Sequence, residues 1–221
     1  MKKFAVLVCF VLIFLSFTLI SCGKKDGLSP FVSDLKENIF VGENQDFSLT
    51  AYYGKREEPF IKDGKVGLLK PRLVVKITSD FNSSTSSLGA ITVKDVSYKE
   101  NFVFDPTSNK LTATFNIENF DLNSFDITIY YLDTSSTITL NSIKPKDTIS
   151  TVEALSFLQK NQPTLIESYF TENTFNAEIF IRLIVQKDKP YYYVGIANSK
   201  KIVAFLLDGY TGEVLSIKEV F

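Results

Sequence analysis

The chain has 221 residues at a formal net charge of −1, with 45% apolar residues, 20 Phe, no His and no Trp. Without His, a Ser-His or Cys-His nucleophile pair cannot be assembled, and neither can a zinc site of the usual His/Cys type. The near-neutral balance offers no basic face for nucleic acid, so no nucleic-acid partner is expected.

The chain begins "MKKFAVLVCFVLIFLSFTLISC". A basic start at Lys2 and Lys3 precedes an apolar run from Phe4 to Ile20, the order of an export signal. "LISC", Leu19 to Cys22, resembles the lipobox of bacterial lipoproteins. That resemblance implies a signal peptide over 1–21, cut before Cys22, and lipid (diacylglycerol, palmitate-type chains) on the Cys22 sulfur. With about 0.8 kcal/mol per buried CH₂, two or three chains hold a protein firmly at a membrane. The expected address is the extracytoplasmic face of a bacterial cell membrane. The competing possibility is an uncleaved signal anchor in which Cys22 is only a small interfacial residue. Removal of Lys2 and Lys3 takes the net charge from −1 to about −3. Cys9 leaves with the signal, so no disulfide is expected. Residues 22–30 read as a lipidated tether, small, charged and turn-forming.

From 31 to 147 the apolar pattern has period two. Phe47, Leu49, Ala51 and Tyr53 share one side; so do Leu73, Val75 and Ile77; Leu111, Ala113, Phe115 and Ile117; and Phe125, Ile127, Ile129 and Tyr131. Each set describes a half-buried antiparallel strand. Turn compositions such as "DGKVG", "DPTSNK" and "LDTSST" separate them, and "SDFNSSTSSLG" at 79–89 reads as an exposed loop. Several short strands without a helix predict an immunoglobulin-like antiparallel β-sandwich.

Within this half, "YYGKREEPF" at 52–60 combines aromatic anchors with alternating charge. Tyr53, Lys55, Arg56 and Glu57 are candidate contacts for a partner, although a solvated hairpin tip has the same composition. Glu57 and Glu58 are adjacent, so a strand would point them apart, which disfavours an acid/base pair. Asp80, Asp95, Asp105 and Asp121 lack EF-hand spacing, and Gly64-Lys-Val-Gly67 lacks the rest of a phosphate loop. No metal, no cofactor and no catalytic set is expected.

At 148 the period changes. Ser150 and Glu153 form a capping-box pattern, followed by Val152, Leu155 and Leu158 at helical spacing and a stop at Pro163. "TLIESYF" suits a second short helical turn. "FNAEIFIRLIVQ", "YYYVGIA", "IVAFLL" and "EVLSIKEV" then alternate as strands, giving a helix-plus-antiparallel-sheet α+β unit over 148–221. In the closing turn "DGYTGEVL", Gly212 is expected to hold a positive φ, and Leu215 and Ile217 to pack on the helix.

"TVEAL" in the helix and "DGYTGEVL" in the hairpin resemble the PepSY domain. The resemblance covers about 148–221 and implies a non-enzymatic module of the kind proposed to inhibit or chaperone peptidases, or to bind components outside the membrane. The expected function is a lipid-anchored, non-catalytic binding module meeting an envelope or secreted protein. The alternative is a peptidase inhibitor or modulator.

Overall fold

A computed structural model describes residues 27–220, apart from 62, 79–86, 94, 132, 173 and 200. Cys22 and the lipobox lie outside the described residues, as does most of the polar stretch 79–89.

A 3-10 turn, Ser29–Phe31, leads into β1 (Val32–Glu43). Then come β2 (Ser48–Glu57), β3 (Leu69–Ile77), β4 (Ser87–Val93), β5 (Val96–Asp105), β6 (Lys110–Phe115), β7 (Ser124–Tyr131) and β8 (Thr134–Ser142). They are hydrogen-bonded in the order β1-β2-β3-β6-β5-β4-β7-β8, and β8 returns to β1 through Phe40↔Ser142 and Val41↔Asn141. The ring closes into an eight-stranded barrel. This corrects the expected immunoglobulin-like sandwich. Strand alternation says that one face is buried; it does not distinguish two facing sheets from one sheet closed on itself. The deciding contact, β8 against β1, joins segments about a hundred residues apart and has no local signature.

The expected inward sets do fill the barrel. Leu49, Ala51, Leu73, Val75, Ile77, Leu111, Ala113, Phe115, Ile127 and Ile129 are all buried in one cluster, as an eight-stranded barrel requires of its interior. One end is plugged by Phe40, Phe120 and Phe125, whose rings meet edge-to-face with centroids 5.2–5.7 Å apart.

The second half opens with α1 (Thr151–Asn161) and α2 (Pro163–Glu167). After the short pair β9 (Phe170–Thr171) and β10 (Thr174–Phe175) come β11 (Glu178–Gln186), β12 (Lys189–Ala197), β13 (Ile202–Asp208) and β14 (Val214–Val220). The last four form an antiparallel meander, and β11 lies parallel to the first half of β1, from Val32↔Ile179 to Lys36↔Arg182. β1 therefore forks. Its first residues pair with β11 and its later ones with β8, while β2 follows it along both parts. The helix-plus-sheet unit is thus continuous with the barrel in one twelve-stranded sheet. The fork sits beside a β-bulge at Lys36–Asn38, which bends the strand and re-aims its side chains. Gly54 faces that bulge, where an added Cβ would collide with the Leu35 carbonyl oxygen.

α1 begins as the capping box requires. The Glu153 amide donates to Ser150 Oγ at 3.2 Å and the Ser150 amide to Glu153 Oε2 at 2.7 Å. Its buried Ala154, Leu155 and Leu158 belong to a second cluster with Ile179, Ile181, Tyr192, Val194, Phe205 and Leu207. Tyr192 donates its hydroxyl to the Ile149 carbonyl at 2.6 Å, so the buried phenol is satisfied.

The closing turn has the expected form: Gly212 holds φ +72°, and Asp208 Oδ1 accepts from the Tyr210 and Thr211 amides at 2.8 and 2.9 Å. The expected burial of Leu215 and Ile217 is corrected. They are 47% and 46% exposed, and Val152 is 62% exposed. β14 is an edge strand of the sheet. The residues that meet the helix-side cluster come from the next strand in, Phe205 and Leu207, with Val214 at the margin.

Candidate functional site

The four candidate contacts on β2 do not converge. Strand alternation sends Tyr53, Lys55 and Glu57 to one face and Tyr52, Gly54 and Arg56 to the other. Tyr53 is buried in the barrel cluster, its ring 5.2 Å from Phe120. It lines, with Lys55, a cleft of about 610 Å³ at the barrel end that also holds Glu37, Glu118 and Asp121. Glu57 is 6% exposed and accepts from the amides of Gly67 at 2.8 Å and Ile61 at 3.3 Å. It pins the β2–β3 loop. A neighbouring carboxylate, Glu178, accepts from Ser33 Oγ at 2.7 Å, and burial raises its pKa.

Arg56 lies on the other face of the sheet, the one opposite α1, and there it has company. β1 contributes Asp34 and Lys36, β2 Tyr52 and Arg56, β3 Arg72, β11 Phe180 and Arg182, and β12 Tyr193. Register makes the grouping. Arg72 stands opposite Gly54, Gly54 opposite Lys36, Lys36 opposite Arg182, and Arg182 opposite Tyr193. Lys36 and Arg72 flank a position that carries no side chain, and Tyr52 and Arg56 lie two residues to either side of it along β2.

The contacts within this face are specific. Lys36 Nζ sits 3.9 Å from the centre of the Tyr52 ring. Arg72 Nη2 donates to the Tyr52 hydroxyl at 3.3 Å. The Arg56 guanidinium stacks 3.7 Å over Phe60, which meets Phe180 at 5.9 Å. Asp34, 2% exposed, accepts from Arg182 Nη2 at 2.7 Å and Nε at 3.1 Å, both on Oδ2. Cation–ring contacts of this kind are worth about 0.5–2 kcal/mol each, more as water is excluded.

Charge on this face is not balanced. Among the described residues, Asp34 is the only carboxylate whose charge is felt at Lys36 or at Arg56, and it is engaged by Arg182. Lys36, Arg56 and Arg72 form no ion pair among the described residues. The neighbouring Lys70 and Lys76, in contrast, are paired with Glu58 and Asp105. Burial, followed by the charge of Arg182, pushes the Lys36 ammonium down from 10.5 to about 8. Burial also lowers Arg56 and raises Tyr52. One buried atom on the face, Arg56 Nε, donates to no acceptor among the described residues.

Sequence reasoning singled out Arg56 but missed Lys36, Arg72 and Arg182. Two signals were present. Arg182 interrupts an otherwise apolar strand, "EIFIRLIV", and Asp34 and Lys36 alternate along "SDLKE". Neither signal says that the two strands lie side by side, 148 positions apart. No group of acidic residues among those described is arranged to hold a metal ion. The chain matches no known protein family, no curated protein and no solved structure.

Proposed function

We propose that the protein is a non-catalytic binding module, held by lipid on Cys22 at the extracytoplasmic face of a bacterial membrane, and that the sheet face opposite α1 meets a protein partner. The observation that carries the proposal is the set of three cations, Lys36, Arg56 and Arg72, gathered beside aromatic rings without ion-pair partners among the described residues. Arg and Tyr are the residue types that anchor interfaces, and gathering like charges costs stability unless something of opposite sign is met there.

A photo-crosslinking residue in place of Tyr193, in the full chain in cells, tests the proposal. The expected result is a discrete adduct with an envelope or secreted protein. The same residue at Glu100, on the far wall of the barrel, should give none. Adducts from neither position, or equally from both, would overturn the assignment of this face. A peptidase in the adduct would favour the modulator role that the PepSY resemblance of 148–221 implies.

A further inference from the structure

We infer that the surface at Tyr52, where Lys36 and Arg72 meet it, is a binding site for an oxyanion, the carboxylate or phosphate group of a ligand, with Lys36 and Arg72 as its principal donors. The inference deepens the proposed binding function of this face and rests on it.

The site is built by register. Neighbouring strands lie about 4.8 Å apart, so Lys36 and Arg72, separated by one intervening strand, have their backbones about 10 Å from each other. Gly54 carries no side chain between them, and the place a Cβ would take is filled by the Leu35 carbonyl oxygen of the β1 bulge, so the two cations meet beside Tyr52 instead. Both cations lean toward the same tyrosine, Lys36 against the ring of Tyr52 and Arg72 against its hydroxyl. An ammonium and a guanidinium are thus gathered at one phenol. These are the donor types that hold carboxylates and phosphates by charge-assisted hydrogen bonds.

The remaining charges on the face fit that assignment. Arg182 is committed to Asp34 by two hydrogen bonds, so the carboxylate felt at Lys36 is already engaged by another cation. Arg56, stacked on Phe60, stands farther along β2 and also feels the charge of Arg72. Lys76 on β3, itself paired with Asp105, adds to the positive potential felt at Lys36. Tyr193 on β12 stands in register with Arg182. The charge of Arg72 disfavours protonation at both Lys36 and Arg56, and an oxyanion placed beside Arg72 would offset both repulsions.

The test uses the full-length chain in an uncharged maltoside detergent. Acylation of lysines, read by mass spectrometry as a function of pH, reports the free amine of Lys36, with inorganic phosphate and acetate as separate probes. The expected result is that phosphate, acetate or both protect Lys36 near pH 8 and move its labelling midpoint upward, while exposed Lys160 on α1 is unaffected. The probe that protects identifies the preferred oxyanion. Arg72→Gln should raise the concentration needed for protection at least tenfold, and Tyr52→Phe, which keeps the ring, a few-fold. A circular dichroism melt on each variant shows that it is folded. Lys36 labelling that ignores both anions, or a folded Arg72→Gln protein protected as well as wild type, would overturn the oxyanion site. That failure would leave the adduct from Tyr193 to decide the binding function separately.

Discussion

Asp34 Oδ2 receives two hydrogen bonds from Arg182, at 2.7 and 3.1 Å, across the parallel pairing of β1 with β11. The carboxylate is almost fully buried and the guanidinium is 40% exposed. The pair ties the barrel's first strand to the C-terminal meander.

Asp34→Asn should therefore loosen that seam. A hydrogen bond to a charged group contributes about 1.5–3 kcal/mol, and the exposed half of the pair moderates the loss, so about 1–3 kcal/mol is expected. The denaturant midpoint should fall without a change in slope. Loss of the one carboxylate that supports Lys36 should also drive the lysine's titration below its present value of about 8.

Lys36 makes stability depend on pH in a definite direction. Its folded pKa, about 8, is below the ordinary value of 10.5. Between those two values the unfolded chain binds more protons than the folded one, so stability rises with pH across that window. Below about 8 the lysine is charged in both states and its full penalty remains. Lys36→Met, which keeps an apolar stem over Tyr52, should be more stable than wild type at pH 7. The advantage should shrink as pH rises from 8 toward 10. Urea titrations of both proteins at matched pH read the difference, in which other titrating groups cancel.

Gly212→Val should be costly for two reasons. A β-branched residue at φ +72° is strained by about 1–3 kcal/mol. Its Cβ would also run into Phe157 on α1, whose Cγ is 2.6 Å from that position. Thermal melts should show a large drop for Gly212→Val. Phe157→Ala in the same chain removes the ring but keeps the Cβ 2.8 Å away, so it should recover only some of the steric part and leave the backbone part.

The meander's buried side chains should separate sharply from its edge. Leu207→Ala removes a fully buried side chain and should cost about 2–5 kcal/mol. Leu215→Ala and Ile217→Ala change residues nearly half exposed on β14 and should each cost less than about 1 kcal/mol. Chemical denaturation of the three variants checks the ordering.

Local chemistry was legible and long-range chemistry was not. Ser150 and Glu153 announced α1, Gly212 announced its positive φ, and the inward set Leu111, Ala113, Phe115 and Ile117 was readable, because each depends on residues a few positions apart. β1 was overlooked. Its bulge at Lys36–Asn38 breaks the period of two, so "VSDLKENIFVGE" does not alternate cleanly. That one irregular strand closes the barrel, joins the C-terminal meander to it and carries Asp34 and Lys36. Overlooking it hid the barrel and the cation face together. The misplacement of Leu215 and Ile217 has a different cause: alternation names two faces but cannot say how far the helix reaches across one of them.

The fork in β1 also has a mechanical side. A pull on the chain at Gly27 reaches β1 within a few residues, past buried Leu28 and the turn Ser29–Phe31, and that strand is bonded to β2 on one side and to β11, then β8, on the other. Force along a strand loads its cross-links side by side, in shear, whereas force across a strand end opens them one after another. The first half of β1 is clamped between antiparallel and parallel neighbours, so a load entering there is shared by both cores before any single bond must yield. If the chain hangs from a membrane by its N-terminus while its outer face grips something that moves, β1 is the element that bears the tension.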